Sequence, residues 1–252
     1  GVISTVAVVK NAAGVKQTGI SLSTTGGKVA GNLSSLTDGT YTIEVTSTDA
    51  AGNTTVKTQE VVIDKTPPTL TLVALSDNKL ASDEARNYTQ TFTAADNTGG
   101  TDLAGTVAVV KQGGVVQTIA PLTVTNDSIT GDLSGLADGT YTIEVTTTDV
   151  AGNTTTKTQS VVIDATAPTL TLGALADSKL TNAQAGSYSQ SYTTSDNTAV
   201  ASTVAVVKNA DGVKQTAITL TTTGGNVAGN LSSLAEGTYT IEVTATDTAG
   251  NT

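Results

Sequence analysis

The 252-residue sequence predicts an all-β protein made of tandem modules of about one hundred residues each. Three observations support this fold class. One phrase occurs three times along the chain, apolar residues alternate with polar ones, and glycine-containing turn signals divide each module into about seven short segments. Seven short strands in a module of this size are typical of an immunoglobulin-like β-sandwich, so we expect tandem immunoglobulin-like sandwich modules.

The repeat is visible in the phrase DGTYTIEVTSTDAAGNTT, which begins at Asp38 and returns in close copies that begin at Asp138 and Glu236. A second phrase, TVAVVK, recurs in the same order with spacings of 101 and 97 residues. These two spacings set the length of the module. A fixed period of this kind indicates an array of similar units rather than one large domain.

The stretches DKTPPT and DATAPT predict module boundaries near Asp64 and Asp164, because proline removes a backbone donor where one sheet should end. We therefore expect three modules, at residues 1–64, 65–164 and 165–252. In this division the middle module is complete, the first lacks its first strands and the third lacks its last strand. The missing strands would come from further polypeptide or from another chain.

The strand pattern is clearest in TYTIEVTTTD, where Tyr141, Ile143 and Val145 occupy one face and threonine and glutamate occupy the other. Threonine and valine dominate the whole sequence, which favours a pleated sheet. No stretch shows the apolar period of an amphipathic helix. The alternation therefore predicts half-buried strands throughout each module.

A leucine followed by Asp-Gly or Glu-Gly precedes the tyrosine that opens this strand in every module. This is the pattern of a tyrosine corner, in which the phenol donates a hydrogen bond to the upstream backbone. We expect Tyr41, Tyr141 and Tyr239 to have this role. The alternative is that they are core tyrosines of an alternating strand.

The composition argues against catalysis and against nucleic-acid binding. The chain has no Cys, His, Met or Trp, so the usual nucleophiles and imidazole bases are missing and we predict that it is not an enzyme. Twelve basic and 22 acidic residues give a net charge of −10, which is unsuited to neutralising phosphates. No segment approaches the roughly 18 apolar residues of a membrane span, so no membrane insertion of this segment is expected.

The stretch LADGTYTIEVTTTDVAGNTTTKTQSVVIDATAPTL, residues 136–170, has close copies around Leu36 and Leu234. It resembles the bacterial immunoglobulin-like repeats of large secreted adhesins and biofilm-associated surface proteins. The resemblance implies an extracellular location, at the bacterial cell surface or in the matrix, and a role in cell adhesion and biofilm formation. Expected partners are the neighbouring modules of the same chain and identical chains in a fibre.

Two roles are compatible with such repeats. The modules could form a stiff spacer of an adhesin or matrix fibre, or they could themselves bind a host or matrix receptor or a glycan. The near-identity of the copies favours the spacer, because repeated surfaces without varied loops add length rather than recognition. The absence of tryptophan from the loops points the same way.

Acidic and amide side chains at the ends of predicted strands indicate a calcium site at each module boundary, since calcium binds six to eight oxygen ligands. The resemblance supports calcium, because related adhesin repeats are often stiffened by it. The expected ligands are Asp149, Asn153, Asp164, Asp196 and Asn197 at the second boundary and Asp49, Asn53, Asp64, Asp96 and Asn97 at the first. The alternative is that these residues only shape turns by bonding to their own backbone.

Each TVAVVK phrase ends in a lysine, at Lys10, Lys111 and Lys208. A lysine at the exposed end of a strand is explained by its charge alone. The alternative is an intramolecular covalent crosslink to a neighbouring Asn or Asp.

Overall fold

The computed structural model describes residues 1–97 and 103–252, which contain twenty β-strands and two short α-helices. The strands in the first half of the chain are β1 Val2–Asn11, β2 Leu22–Thr25, β3 Lys28–Gly31, β4 Gly39–Asp49, β5 Thr54–Ile63, β6 Thr69–Leu72, β7 Lys79–Leu80, β8 Tyr88–Ala95, β9 Leu103–Gln112, β10 Val115–Val116 and β11 Leu122–Val124. The remaining strands are β12 Ser128–Gly131, β13 Gly139–Asp149, β14 Thr154–Ile163, β15 Thr169–Leu172, β16 Tyr188–Ser195, β17 Val200–Asn209, β18 Leu220–Thr223, β19 Asn226–Gly229 and β20 Tyr239–Asp247. The helices are α1 Ser82–Arg86 and α2 Asn182–Gly186.

The strands form six sheets among the described residues. Their strand orders are β1-β4-β5, β2-β3, β10-β9-β13-β14-β7, β11-β12-β8-β6, β15-β16-β19-β18 and β17-β20. Long neighbours such as β1 and β4 pair antiparallel, whereas the two-residue strand β7 pairs parallel with the end of β14. The all-β architecture predicted from the alternation is confirmed.

The chain folds as two compact units. The first consists of Gly1–Val73, Thr91–Ala108 and Glu144–Thr158, and the second consists of Ala74–Gln90, Val109–Ile143 and Gln159–Thr252. Each unit contains one of the acidic clusters described below. The module boundaries near Asp64 and Asp164 remain a prediction.

In the first unit, a hydrophobic cluster forms around Val9 of β1, Leu36 and Tyr41 of β4, all of which are buried. Leu22 of the β2–β3 hairpin and Ile63 of β5 pack against this cluster. Inward-facing residues of three strands and one hairpin therefore share a single core, as the alternating pattern requires.

In the second unit, a hydrophobic cluster joins two sheets. Tyr188 of β16 and Val227 of β19 belong to one sheet, and Val207 of β17 belongs to the other. Val227 and Val207 are almost completely buried, at 0% and 1% exposure. Side chains from two sheets that meet in one apolar layer are the arrangement of a β-sandwich.

The tyrosine corners are confirmed. Each phenol donates a hydrogen bond to the backbone carbonyl four residues upstream: Tyr41 to Thr37 at 3.0 Å, Tyr141 to Ala137 at 2.9 Å and Tyr239 to Ala235 at 3.1 Å. A bond of this kind fixes the chain where it enters the following strand.

The two helices were not expected from the apolar period, because five residues are too few to display a period of 3.6. A different signal is present for α2. The backbone N–H of Thr181 donates to Gln184 Oε1 at 2.8 Å, and Gln184 N donates to Thr181 Oγ1 at 3.4 Å, which together form a capping box. Neither these helices nor any other described part of the chain provides an apolar helix of membrane-spanning length.

Among the TVAVVK lysines, Lys10 and Lys208 form ion pairs with glutamate on the adjacent strand. Lys10 Nζ lies 2.7 Å from Glu44 Oε2, and Lys208 Nζ lies 2.7 Å from Glu242 Oε2. Both pairs are partly exposed, so each contributes at most about 1 kcal/mol. The partner of each of these two lysines is a glutamate, whereas the crosslink alternative requires an Asn or an Asp.

Candidate metal centres

Three aspartates of the first unit, which we call the Asp64 cluster, come together at strand ends. Asp64 follows β5, Asp96 follows β8, and Asp149 is the last residue of β13. One carboxylate oxygen from each lies within 4.8 Å of the others. Asp96 and Asp149 are buried and Asp64 is half-buried.

The second unit contains a matching group, the Asp164 cluster. Asp164 follows β14, Asp196 follows β16, and Asp247 is the last residue of β20, again with one oxygen from each within 4.8 Å of the others. Asp164 and Asp247 are 0% and 2% exposed. The two clusters occupy corresponding positions of the sequence repeat.

The clusters group the predicted residues differently from the sets expected at the two boundaries. Asp149 lies with Asp64, whereas the expected ligand set at the second boundary groups Asp149 and Asn153 with Asp164. The reason is strand length. The ten residues of β14 separate Asn153 from Asp164 and, at about 3.3 Å per residue, span roughly 33 Å. The hairpin loop that follows Asp149 therefore lies near Asp64, at the first predicted boundary, and not near Asp164, at the second.

Two further differences follow from the same geometry. Asp49 and Asn53 form the β4–β5 turn and belong to neither described cluster. Asp247, which was not among the expected ligands, completes the Asp164 cluster. The signal for Asp247 was present, because the phrase that contains Asp149 recurs as TDTAGN at residues 246–251.

The asparagine of the hairpin loop holds the cluster aspartate in place. Asn153 N and Nδ2 donate to the two carboxylate oxygens of Asp149, both at 2.8 Å, and Nδ2 also donates to the backbone carbonyl of Asp64 at 3.3 Å. Burial raises the pKa of Asp149, but the hydrogen bonds from Asn153, Gly152 and Ala151 outweigh it, so the pKa is lowered. Asn251 repeats the arrangement with Asp247 and the carbonyl of Asp164.

Asp196 presents one carboxylate oxygen without a hydrogen-bond partner. Its Oδ2 accepts bonds from Thr198 N at 2.8 Å, Thr198 Oγ1 at 2.9 Å and Ala199 N at 3.0 Å. Its Oδ1 is buried and bonds to no protein group in the described part of the chain. Burial raises the pKa of Asp196, and the bonds from Thr198 and its neighbours lower it by more. The group is therefore an ionised carboxylate with one buried, unsatisfied oxygen.

Asp64 shows the electrostatic cost of its cluster. Burial raises the pKa of Asp64, and the nearby charges of Asp96, Asp149 and Asp38 raise it further. Like charges this close in a partly buried site favour either protonation or a bound cation.

The aspartate of each Asp-Gly turn binds the segment that follows the second of the next two long strands, β5 after Asp38 and β14 after Asp138. Asp138 Oδ1 accepts from Ala165 N at 2.8 Å, and Asp138 Oδ2 accepts from Thr166 Oγ1 and from Asn197 Nδ2 at 3.0 Å. These bonds lower the pKa of Asp138. Asp38 makes the equivalent bonds with Lys65, Thr66 and Asn97. Asn97 and Asn197 therefore donate to carboxylates, a role that sequence reasoning missed.

The donor chemistry of both clusters fits a hard cation. Three carboxylates supply only oxygen atoms, which are the ligands calcium and magnesium prefer. The chain contains no Cys or His, the ligands typical of zinc and copper sites.

Comparison with protein families gives two matches. The family model of the bacterial Ig-like domain (group 3) matches residues 27–89 and 125–227, and a second bacterial Ig-like domain model matches residues 79–165. Comparison with curated proteins gives no match.

Similar solved structures include three of bacterial or large adhesion proteins. A Ca²⁺-stabilized adhesin that helps an Antarctic bacterium reach out and bind ice is 29% identical, over 84% of this chain and 54% of that chain, with a TM-score of 0.39. A 1.5-MDa bacterial ice-binding adhesin is 20% identical, over 100% and 83%, with a TM-score of 0.41. The tetra-tandem repeat in the extending region of a large adhesion protein is 25% identical, over 98% and 63%, with a TM-score of 0.32. The chain thus spans about half the length of the first of these structures.

Proposed function

The chain belongs to the bacterial Ig-like domain family, and from this premise we propose that it is a structural repeat region of a bacterial extracellular adhesin or matrix fibre. Its modules act as a stiff spacer in cell adhesion and biofilm formation, at the cell surface or in the matrix. Neighbouring modules of the same chain, and identical chains in a fibre, are its partners. The chain has no catalytic role.

The observation that carries this proposal is that each boundary segment is bonded along its length. In segment 64–69, the backbone of Lys65 and the hydroxyl of Thr66 donate to Asp38. The carbonyls of Asp64 and Pro68 accept bonds from Asn153 and Thr155. A segment bonded in this way cannot behave as a flexible tether, which supports a stiff spacer.

Segment 164–169 is bonded in the same manner by Asp138 and Asn251. The repetition matters, because a spacer is stiff only if every boundary is stiff. The turn aspartate and the loop asparagine make equivalent bonds at the two boundaries, which supports an arrangement that extends along an array.

Each aspartate cluster binds one calcium ion, with Asp64, Asp96 and Asp149 as ligands at the first boundary and Asp164, Asp196 and Asp247 at the second. The buried, unsatisfied Oδ1 of Asp196 supports this assignment, because a cation would supply its missing partner. A bound ion would also relieve the repulsion that raises the pKa of Asp64. Asn153 and Asn197 orient the carboxylates, and Asp49 and Asn53 shape a turn.

The test is small-angle scattering and thermal melting of the 252-residue chain in calcium and in chelator. We expect calcium to raise the melting temperature by mass action and to give an elongated particle. Asp149→Asn should remove much of the calcium-dependent rise. The matched control is Asp49→Asn, which changes the same residue of the same turn sequence outside the clusters and should keep the rise.

A maximum dimension in calcium no longer than that of a compact globule of equal mass contradicts the spacer. Equal melting temperatures in calcium and chelator contradict the metal sites.

A further inference from the structure

The two boundary segments differ at two positions. Segment 64–69 reads DKTPPT, whereas segment 164–169 reads DATAPT, so Lys65 corresponds to Ala165 and Pro67 to Ala167. The first difference has a visible consequence. Lys65 Nζ donates to the backbone carbonyl of Ser34 at 2.6 Å and to that of Leu36. An alanine cannot make these bonds.

The Lys65 contacts tie the boundary segment to the turn that precedes the tyrosine corner. In that turn Leu36 N donates to Leu33 O at 3.0 Å. The Lys65 backbone N–H also donates to Asp38 Oδ1 at 3.0 Å, so the main chain and the side chain of Lys65 both bond to the loop that precedes β4. An ammonium group with two carbonyl acceptors forms charge-assisted bonds, which are stronger than neutral ones.

The second boundary has the same acceptors but lacks the donor. Leu136 N donates to Leu133 O at 3.0 Å, as in the first turn. Ala165 N donates to Asp138 Oδ1 at 2.8 Å, as Lys65 N does to Asp38. These two backbone bonds are the same at both boundaries, so we expect a lysine at position 165 to find carbonyl acceptors at Ser134 and Leu136.

We propose that Lys65 is a positioning residue, a latch that keeps the first boundary ordered without a bound cation, whereas the second boundary depends on the cation for the same order. This inference rests on the spacer function proposed above. When calcium is removed, the three carboxylates of each cluster repel one another. At both boundaries the bonds of the turn aspartate and of the loop asparagine oppose the separation. At the first boundary the Lys65 side-chain bonds add to them. When calcium is lost, boundaries that lack the lysine therefore become flexible before those that have it.

The test exploits the absence of cysteine from the chain, since introduced cysteines are then the only labelling sites. One spin-label pair, Ser23→Cys with Thr93→Cys, spans the first segment. A second pair, Thr123→Cys with Thr193→Cys, spans the second segment at the corresponding exposed strand positions. Distance distributions are measured by pulsed electron resonance on the 252-residue chain in excess chelator and again in calcium.

In chelator we expect a narrower distribution for the first pair than for the second. Lys65→Ala should broaden the distance distribution of the first pair to the width of the second. Lys65→Arg should keep the narrow distribution, because guanidinium also donates hydrogen bonds to carbonyls. Ala165→Lys should narrow the distance distribution of the second pair. A role of Lys65 in the folding of the first segment alone would not produce this gain. Lys57→Ala, which removes the same charge from an exposed position of β5, is the matched control and should change neither.

Three results would overturn the latch: equal widths of the two pairs in chelator, an unchanged first pair in Lys65→Ala, or broadening by Pro67→Ala that accounts for the whole difference between the boundaries. The calcium arm separates this inference from the metal sites. If calcium narrows neither pair, the metal sites fail, and the comparison in chelator still decides the role of Lys65.

Discussion

Gly229 ends β19 opposite Leu220 of β18, and the two strands are in close contact there. A Cβ atom at Gly229 would lie 2.6 Å from Leu220 Cδ2 and 2.9 Å from the carbonyl oxygen of Thr219. Both distances are shorter than a normal contact, and the second involves backbone, which cannot rotate away. The φ angle of Gly229 is not in the left-handed region, so the requirement for glycine is steric.

Gly229→Ala should therefore destabilise the chain. Overpacking typically costs about 1–3 kcal/mol. Replacing a strand glycine by alanine returns about 0.5–1 kcal/mol of backbone entropy. Leu220 packs on the cluster of Tyr188, Val207 and Val227, so it cannot swing out without losing burial. The net loss is about 1–2 kcal/mol, which lowers the melting temperature of a domain of about 100 residues by roughly 5–10 °C.

The assay is calorimetry of the 252-residue chain in chelator. Transitions should be compared one by one, because a chain of several domains does not unfold in a single step. The control is Gly186→Ala at the end of α2, where no atom beyond the adjoining residues and the backbone of the helix itself lies within 4 Å of the added Cβ. There the substitution should be neutral or stabilising, since alanine is the better helix residue. A Gly229→Ala variant that melts at or above the wild-type temperature would refute this account of the β18–β19 contact.

Two further predictions concern single polar groups. Burial and the neighbouring carboxylates raise the folded-state pKa of Asp64, so ionisation of Asp64 lowers the stability of the chain as pH rises through that pKa. In chelator, Asp64→Asn should therefore melt at a higher temperature than wild type at about pH 7, and the difference should vanish at about pH 3. A difference in melting temperature that does not change with pH would contradict the raised pKa. Tyr141→Phe loses the bond to Ala137 and should cost about 1 kcal/mol in denaturant unfolding, whereas Tyr239→Phe, whose bond is exposed, should cost less; the reverse order would contradict the role of burial.

Much of the fold could be predicted because it is written locally. The alternation around Tyr141 predicted a strand, and the Leu-x-Asp-Gly-Thr-Tyr pattern predicted a hydrogen bond that lies within four residues of sequence. Helix α2 was not predicted, because its five residues are too few to show a repeating apolar pattern. Its signal was the capping pair Thr181 and Gln184.

The candidate site was harder to predict, because its residues are distant in sequence. The acidic residue types and most of the positions were expected, but pairing Asp149 with Asp64 requires knowing at which end of β14 the hairpin lies. From the sequence, Asp138 is expected only to be a turn residue of the Asp-Gly pair. Its bonds to Ala165 and Thr166, 27 and 28 residues away, depend on which strands are neighbours in the sheet.

The bonds of Asp138 have a consequence for how genes that encode such arrays can change. The carboxylate and the hydroxyl it binds lie 28 residues apart in both copies, so one length of coding sequence carries both partners of this contact. The remaining partner, Asn197, lies 59 residues after Asp138, just as Asn97 lies 59 residues after Asp38. Recombination between neighbouring repeats, in register, therefore recreates the whole set of contacts at the new junction. Copies can be gained or lost without any new junction having to be selected, and spacing from the cell can evolve through copy number alone.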